Sequence, residues 1–135
     1  MTVLTSLINE VKNPKISNFL KTGLSSIITS VSNQESDTRY VAKNKNIPDG
    51  KTFKLFENKI NSMIERIEDF SNHASNSIAK VYNADSTDLH FLDDNTIDLV
   101  VTSPPYANTY DYYLYHKLKM YWLGFDVAEV KKKEI

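Results

Sequence analysis

Apolar residues recur every three or four positions through much of the chain, which is the spacing of helices that bury one face. The first such run ends at Asn13-Pro14, because proline disfavours the α conformation in the residue before it. A second run follows this break, and a third extends from Phe53 to Phe70. The pattern therefore predicts three amphipathic helices before residue 77.

The apolar period is absent from residues 32–50 and resumes in residues 111–123. Residues 32–50, SNQESDTRYVAKNKNIPDG, are polar and rich in turn-forming side chains, which predicts a long loop between the second and third helices. Residues 111–123 predict an aromatic-rich helix that is closed by Gly124. A charged tail, residues 126–135, is expected to follow it without a capped end.

Between the third and fourth helices the pattern changes to one typical of strands. Residues 78–83 are β-prone, and residues 97–102 (IDLVVT) form a short, continuous apolar run like a strand buried on both faces of a parallel sheet. A turn at Asp93-Asp94-Asn95 separates the two. We therefore expect an α/β fold: a helical segment over residues 1–77 containing the polar loop 32–50, and a sheet-bearing segment over residues 78–135.

The composition excludes several classes of site. The chain has 135 residues, about one domain, with no cysteine and only three isolated glycines. Disulfides, thiolate zinc sites and a glycine-rich phosphate loop are therefore excluded, and three dispersed histidines make a metal site unexpected. The net charge of -1 restricts any binding to nucleic acid to a local patch. No membrane span or signal peptide is predicted, so we expect a cytoplasmic location.

The segment IDLVVTSPPY carries the clearest chemical signal. A proline-fixed loop directly after a buried strand lies where open α/β folds bind their ligands, at the carboxyl edge of the sheet. Ser103-Pro104-Pro105-Tyr106 resembles the catalytic tetrapeptide of the amino-group DNA methyltransferases, (D/N/S)-P-P-(Y/F/W), and the resemblance is densest over residues 82–126. The alternative interpretation is a structural Pro-Pro turn after a core strand.

This resemblance implies a role for each residue of the tetrapeptide. The exocyclic amino group of cytosine or adenine is a poor nucleophile, because its lone pair is delocalised into the ring, and the enzyme must accept its protons. By resemblance, the Ser103 hydroxyl and the Pro104 carbonyl are these acceptors, and Pro105 helps to fix the loop. Tyr106 would stack on the extruded base. The resemblance leaves open N4 of cytosine or N6 of adenine as the target.

The resemblance also implies S-adenosylmethionine as the cofactor, with Asp85 at the position that contacts its adenine. Asp85 follows a β-prone run, so it would lie at a strand end beside the tetrapeptide. A cap of the turn that follows is an equally good explanation, since aspartate is a common N-cap residue.

Contacts with DNA are expected from Tyr110, His116 and Lys117 after the tetrapeptide, and from Arg39 in the polar loop. The alternatives are a helix face that packs on the sheet and a solvated basic loop. The tyrosines of residues 110–122 recur at helical spacing, which favours packing for most of them.

The chain departs from the resembling family in two respects. It lacks a cofactor loop of the form F-x-G-x-G, and only two strands are predicted where such a sheet has five or more. We therefore expect an incomplete Rossmann-like methyltransferase sheet, and a chain that is inactive alone. Its expected partners are DNA and either the missing methyltransferase half or a second copy of the chain.

Three functions remain open at this stage. The first is the catalytic segment of a DNA methyltransferase, in restriction-modification or another form of genome modification. The second is a non-catalytic remnant or subunit that binds DNA or a partner methyltransferase half. The third is amino methylation of RNA guanines or protein glutamines, although those relatives favour Asp or Asn at the position of Ser103.

Overall fold

The computed structural model describes residues 1–37, 39, 41–74, 77–104 and 112–133 of the chain. The helices within this part are α1 (Thr2–Asn9), α2 (Pro14–Ile27), α3 (Lys51–His73), α4 (Tyr112–Leu123) and α5 (Val127–Lys133). A single 3-10 turn, Thr29–Val31, follows α2. The four predicted helices are therefore confirmed, and α5 is an additional one.

The boundary between α1 and α2 lies at the predicted break. Pro14 is the first residue of α2, where its missing N–H costs nothing, because that donor would have no partner within the helix. The Asn13 side chain accepts hydrogen bonds from the backbone N–H of Lys15, at 3.0 Å, and of Ile16, at 3.3 Å. Asn13 is thus an N-cap that fixes where α2 begins.

The hydrophobic core is small and lies between the first three helices. Leu4 and Ile8 of α1 are buried against Leu24 and Ile27 of α2. Several half-buried apolar side chains pack around this cluster: Met1, Leu20, Leu55 and Phe56. The last two belong to α3, so α1, α2 and α3 share one core.

The crossing of α2 and α3 depends on Gly23. A Cβ atom at this position would lie 2.5 Å from Cδ1 of Ile60 and 3.5 Å from the sulfur of Met63. The absence of a side chain lets the two helices approach closely, which explains a buried glycine in the middle of a helix.

The charged tail predicted after Gly124 contains an additional helix, α5, which the apolar pattern did not indicate. Gly124 has a φ of 79° and ends α4, as glycine does at many helix ends. The Asp126 carboxylate then accepts hydrogen bonds from the backbone N–H of Ala128, at 2.9 Å, and of Glu129, at 3.1 Å. This N-cap starts α5 two residues after α4 has closed.

The expected Rossmann-like methyltransferase sheet is wrong for this chain, because the described residues form helices and no strands. Their single β-pairing is an isolated antiparallel bridge between Gln34 and Ala42. The run IDLVVT has a strand-like composition, yet Leu99 is 79% exposed and Val101 86% exposed. A strand forms only with hydrogen-bond partners on a neighbouring strand, and the described part of the chain supplies none for residues 97–102.

The polar loop 32–50 contains a short hairpin-like pairing around the Gln34–Ala42 bridge. The backbone N–H of Glu35 donates to the carbonyl of Val41 at 2.9 Å, and the N–H of Lys43 donates to the carbonyl of Asn33 at 2.6 Å. The Lys45 ammonium donates to the Thr29 carbonyl at 2.7 Å. These bonds hold the loop against the end of α2 and beside α4.

Within the described residues, no helix combines the length and the apolar character needed to cross a lipid bilayer.

Candidate functional site

The tetrapeptide begins at the end of the largely exposed segment of residues 77–104, which pairs with no strand in the described part of the chain. Ser103 and Pro104 are described and exposed, whereas Pro105, Tyr106 and Tyr110 lie outside the described residues.

Asp85 is engaged by its own turn. Its Oδ1 atom accepts hydrogen bonds from the Thr87 backbone N–H at 2.8 Å and from the Thr87 hydroxyl at 2.7 Å. The first of these bonds, reinforced by the second, holds the pKa of the Asp85 carboxyl below its usual range. This is the capping geometry that the sequence offered as the alternative for Asp85.

The residues around Asp85 form a small ordered unit. The rings of Tyr82 and Phe91 stack with centroids 4.4 Å apart, and the edge of His90 meets Phe91 at 5.8 Å. His90 Nδ1 lies 2.8 Å from the Asp88 carboxylate. The stacked rings of Tyr82 and Phe91 thus join the two ends of the segment that contains Asp85.

The described residues do not fit S-adenosylmethionine by themselves. Asp85 is fully exposed, and one of its carboxylate oxygens is already occupied by Thr87. A cofactor of this size needs a concave pocket that covers most of its surface. Neither Asp85 nor Ser103 lines the described cavity, and no hydrogen bond or ion pair in the described part of the chain joins them.

A second group of predicted residues is brought together where the polar loop meets α4. We call this region the loop-helix junction, formed by residues 29–46 and α4. The Lys119 ammonium lies 2.9 Å from Oδ1 of Asp37, and the Thr29 hydroxyl donates to the same oxygen at 2.6 Å. The hydrogen bond from Thr29, together with the nearby charge of Lys119, lowers the pKa of the Asp37 carboxyl.

Three of the predicted DNA contacts lie in the loop-helix junction. Arg39 is two residues from Asp37, and its guanidinium is 3.7 Å from Glu35 with the side chain 73% exposed. When protonated, His116 also helps to lower the pKa of Asp37. The Lys117 ammonium lies 6.0 Å from the centroid of the Tyr113 ring, and Lys131 of α5 approaches the same ring at 5.5 Å.

The junction is basic although the chain as a whole is not. Its two segments contain five lysine and arginine residues and only two carboxylates, whereas the whole chain has a net charge of -1. A local excess of positive charge on one face is the electrostatic footprint expected of a nucleic-acid contact.

An open cleft of about 260 Å³ lies within the junction. Its lining residues are Ser32, Asn33, Gln34, Val41, Ala42 and Leu118. Neither this cleft nor the Asp37–Lys119 ion pair was predictable from the sequence, because both join segments that are far apart along the chain. Asp37 and Leu118 are thus site residues that sequence reasoning missed, and Lys119, whose helical spacing favoured packing on the sheet, instead pairs with Asp37.

Comparison with known proteins gives one similarity. Over 41 residues the chain is 44% identical to the Type II methyltransferase M.BsoBI of Geobacillus stearothermophilus. This stretch is 30% of the chain and 8% of that relative, so the chain spans only a small part of its length. No family model and no solved structure matches the chain.

Proposed function

We propose that the chain is a segment of a DNA methyltransferase that transfers a methyl group from S-adenosylmethionine to the exocyclic amino group of cytosine, at N4, or of adenine, at N6. The observation that carries this proposal is the 44% identity to a Type II methyltransferase over 41 residues. The tetrapeptide Ser103-Pro104-Pro105-Tyr106 supports it independently, since it supplies the groups that amino methylation requires. Restriction-modification is the process in which we place it.

In this proposal the tetrapeptide prepares the amino group for attack. The Ser103 hydroxyl and the Pro104 carbonyl accept the two amino protons, which turns the nitrogen lone pair out of conjugation with the ring. Pro104 and Pro105 have no N–H to donate and a fixed φ, so the carbonyl stays presented to the base. Tyr106 stacks on the extruded base and replaces the stacking lost from the duplex.

The loop-helix junction supplies the contacts to the DNA backbone. Arg39 is largely exposed and Lys117 is partly exposed, so each segment of the junction carries a cationic group, and His116 adds a third when protonated. Such contacts to phosphates fix the position of a protein on DNA without reading its sequence. Lys119 is engaged by Asp37, so its main task is to hold the junction together.

The second candidate function is a non-catalytic subunit or remnant that binds DNA or a partner methyltransferase half. It is favoured by the exposed apolar residues of the segment 77–104 and by the exposure of Asp85, which is bonded to Thr87. The two candidates differ in whether the Ser103 hydroxyl takes part in methyl transfer.

The test is single-turnover methyl transfer to DNA by the full chain combined with the cofactor-binding part that completes it, alongside a DNA-binding titration. Ser103→Ala should slow transfer roughly 10²- to 10³-fold, by analogy with the loss of one oxyanion-hole donor. DNA affinity should stay unchanged, because the lost contact acts mainly in the transition state. Ser71→Ala on the exposed end of α3 is the matched control and should leave the rate intact.

Tyr106 should behave differently from Ser103 in the same experiment. Because stacking is already made in the bound state, Tyr106→Ala should weaken DNA binding by about 1 to 3 kcal/mol as well as slow the transfer. Tyr106→Phe keeps the ring and should be mild. Full activity of Ser103→Ala, with Tyr106→Ala also unaltered, would remove the catalytic assignment and leave the non-catalytic candidate.

A further inference from the structure

The cleft of the loop-helix junction is formed by two elements of fixed geometry. On one side, the backbone hydrogen bonds between residues 33–35 and 41–43 hold Asn33, Gln34, Val41 and Ala42 in place. The other side is Leu118 of α4. It is next in sequence to Lys119, whose ammonium pairs with Asp37. The walls therefore exist before any ligand arrives, which lowers the entropic cost of binding.

The size of the cleft suits one small flat group. Its volume of about 260 Å³ is below the range of about 300 to 1,000 Å³ typical of pockets for drug-sized ligands. Val41, Ala42 and Leu118 offer apolar surface to the face of a ring. A whole nucleotide cofactor would be too large for it.

Two amide side chains stand beside this apolar surface. Gln34 is almost fully buried, and its Nε2 donates to the Ser36 carbonyl at 2.6 Å, which fixes the orientation of the amide. Asn33 lies next to it in the lining. Asparagine and glutamine amides match the donor and acceptor pattern along the edge of a nucleobase.

The charge around the cleft selects a nucleic acid over an apolar protein side chain. The backbone N–H of Lys43 pairs with Asn33 in the loop wall, and the Arg39 guanidinium lies 3.7 Å from Glu35, whose own N–H pairs with Val41. A strand that inserts a base between these walls brings its phosphates to the cationic groups, and the release of counterions then favours binding. An apolar peptide would gain nothing from them.

We propose that the cleft lined by Asn33, Gln34, Val41, Ala42 and Leu118 binds one unstacked nucleobase of a DNA strand whose phosphates contact the basic rim of the loop-helix junction. This inference rests on the proposed function, because it takes DNA as the substrate. It adds a second base-binding position, distinct from the tetrapeptide that receives the target base.

The experiment compares two ligands of equal length with the full chain carrying Tyr106→Ala, so that stacking on the tetrapeptide does not contribute. One is an oligothymidylate, and the other is an abasic deoxyribose-phosphate oligomer that offers the same charges without bases. This reference chain should bind the oligothymidylate about tenfold more tightly, as expected for one stacked base, and both variants below are made in it. The methyl resonances of Val41 and Leu118 should shift with the oligothymidylate only.

A matched pair of variants locates the effect. Ala42→Leu fills the cleft and should abolish the tenfold preference, while Ala128→Leu adds the same group at an exposed position of α5 and should keep it. Circular dichroism shows whether both variants retain the helices. Since the abasic oligomer reports only on the charged rim, its affinity should be equal for all three proteins.

The possible results separate this inference from the proposed function. Binding of both oligomers with equal affinity, or a preference that survives in Ala42→Leu, overturns the base site while contact with DNA stands. Binding of neither oligomer overturns the base site together with DNA contact by this chain. Methyl shifts that follow protein concentration without DNA would assign the cleft to a second copy and also overturn the inference.

Discussion

The Nζ atom of Lys119 lies 2.9 Å from Oδ1 of Asp37, and this ion pair joins α4 to the polar loop near the end of α2. Thr29 takes part on the loop side, because its hydroxyl donates to the same carboxylate oxygen while its carbonyl accepts from Lys45. Residues from the start of the 3-10 turn, the polar loop and α4 are thereby held in one arrangement.

The docking of α4 should depend on pH through Asp37. The pKa of this carboxyl is lowered in the folded chain, so its contribution to stability is present above the unfolded value of about 3.9 and is lost as the pH falls through the folded pKa. Asp37→Asn should therefore destabilise the chain above about pH 5, by under about 1 kcal/mol because the carboxylate is largely exposed.

Urea unfolding of the native chain and of Asp37→Asn across the acidic range measures this effect. The difference in unfolding free energy should shrink as the pH falls below about 4, and added salt should reduce it at neutral pH. A difference that is constant down to the lowest pH would show that Asp37 acts through its shape and not through its charge.

The close approach of α2 and α3 makes the effect of Gly23→Ala depend on Ile60. Alanine gains about 1 kcal/mol of helix propensity over glycine, but its Cβ would meet Cδ1 of Ile60 and force that side chain to move. We expect Gly23→Ala alone to be nearly neutral. In an Ile60→Val background, which removes Cδ1, the same change should stabilise the chain by about 1 kcal/mol.

Urea unfolding of the four proteins in this double-mutant cycle gives the coupling energy. Gly23→Leu extends the comparison, because its longer side chain cannot fit beside Ile60 without separating the helices, and it should destabilise. Additive effects of Gly23→Ala and Ile60→Val would contradict the contact.

The helices of this fold could be predicted from the sequence, whereas the expected sheet was not found among the described residues. The helices were predictable because their signals are local: the apolar period, the Asn13 cap and Gly124 all act within a few residues. The α5 helix was not predicted although Asp126 carries an N-cap signal, because the charged tail lacks an apolar period.

The strand predicted over residues 97–102 failed for a physical reason. A run such as IDLVVT has only a preference for the extended conformation. The hydrogen bonds that turn this preference into a strand come from other strands, elsewhere in the sequence or on another chain. The loop-helix junction could not be predicted for a different reason: it forms from contacts between segments that are far apart in sequence. Nothing local to Asp37 or to Lys119 indicates that the two meet, although Arg39, His116 and Lys117, the predicted DNA contacts, belong to the two segments that form the junction.

The isolated chain should bind S-adenosylmethionine weakly or not at all. Asp85 is exposed and held by Thr87, and it does not line the cleft of the loop-helix junction. Isothermal titration calorimetry on the purified chain is the measurement. A dissociation constant in the micromolar range or tighter, about -8 kcal/mol, would contradict this expectation, because an exposed turn does not supply that much binding energy.

The exposed apolar residues of the 77–104 segment should drive self-association. Val81 is 96% exposed and Val101 86% exposed, and contiguous apolar surface of this kind marks interfaces or aggregation sites. Leu99→Lys combined with Val101→Lys should shift the chain toward monomer. Val3→Lys, at a 59% exposed position on α1, is the control and should change nothing.

Sedimentation velocity at several protein concentrations distinguishes the outcomes. A native chain that stays monomeric at the highest concentration, with no binding of a dye for apolar surfaces, would count against self-association through this segment.

The placement of the core has a consequence for how the chain folds during its synthesis. Leu4, Ile8, Leu24 and Ile27 lie close together in sequence, and Leu55 and Phe56 complete their surroundings early in α3. Contacts of such short range form quickly, and the ribosome adds only about 5 to 20 residues per second. We therefore expect the three-helix core to be complete before residues 97–104 leave the ribosome. The methyltransferase-like segment then emerges beside a scaffold that has already buried its own apolar face, so its apolar residues find no vacant place in that core.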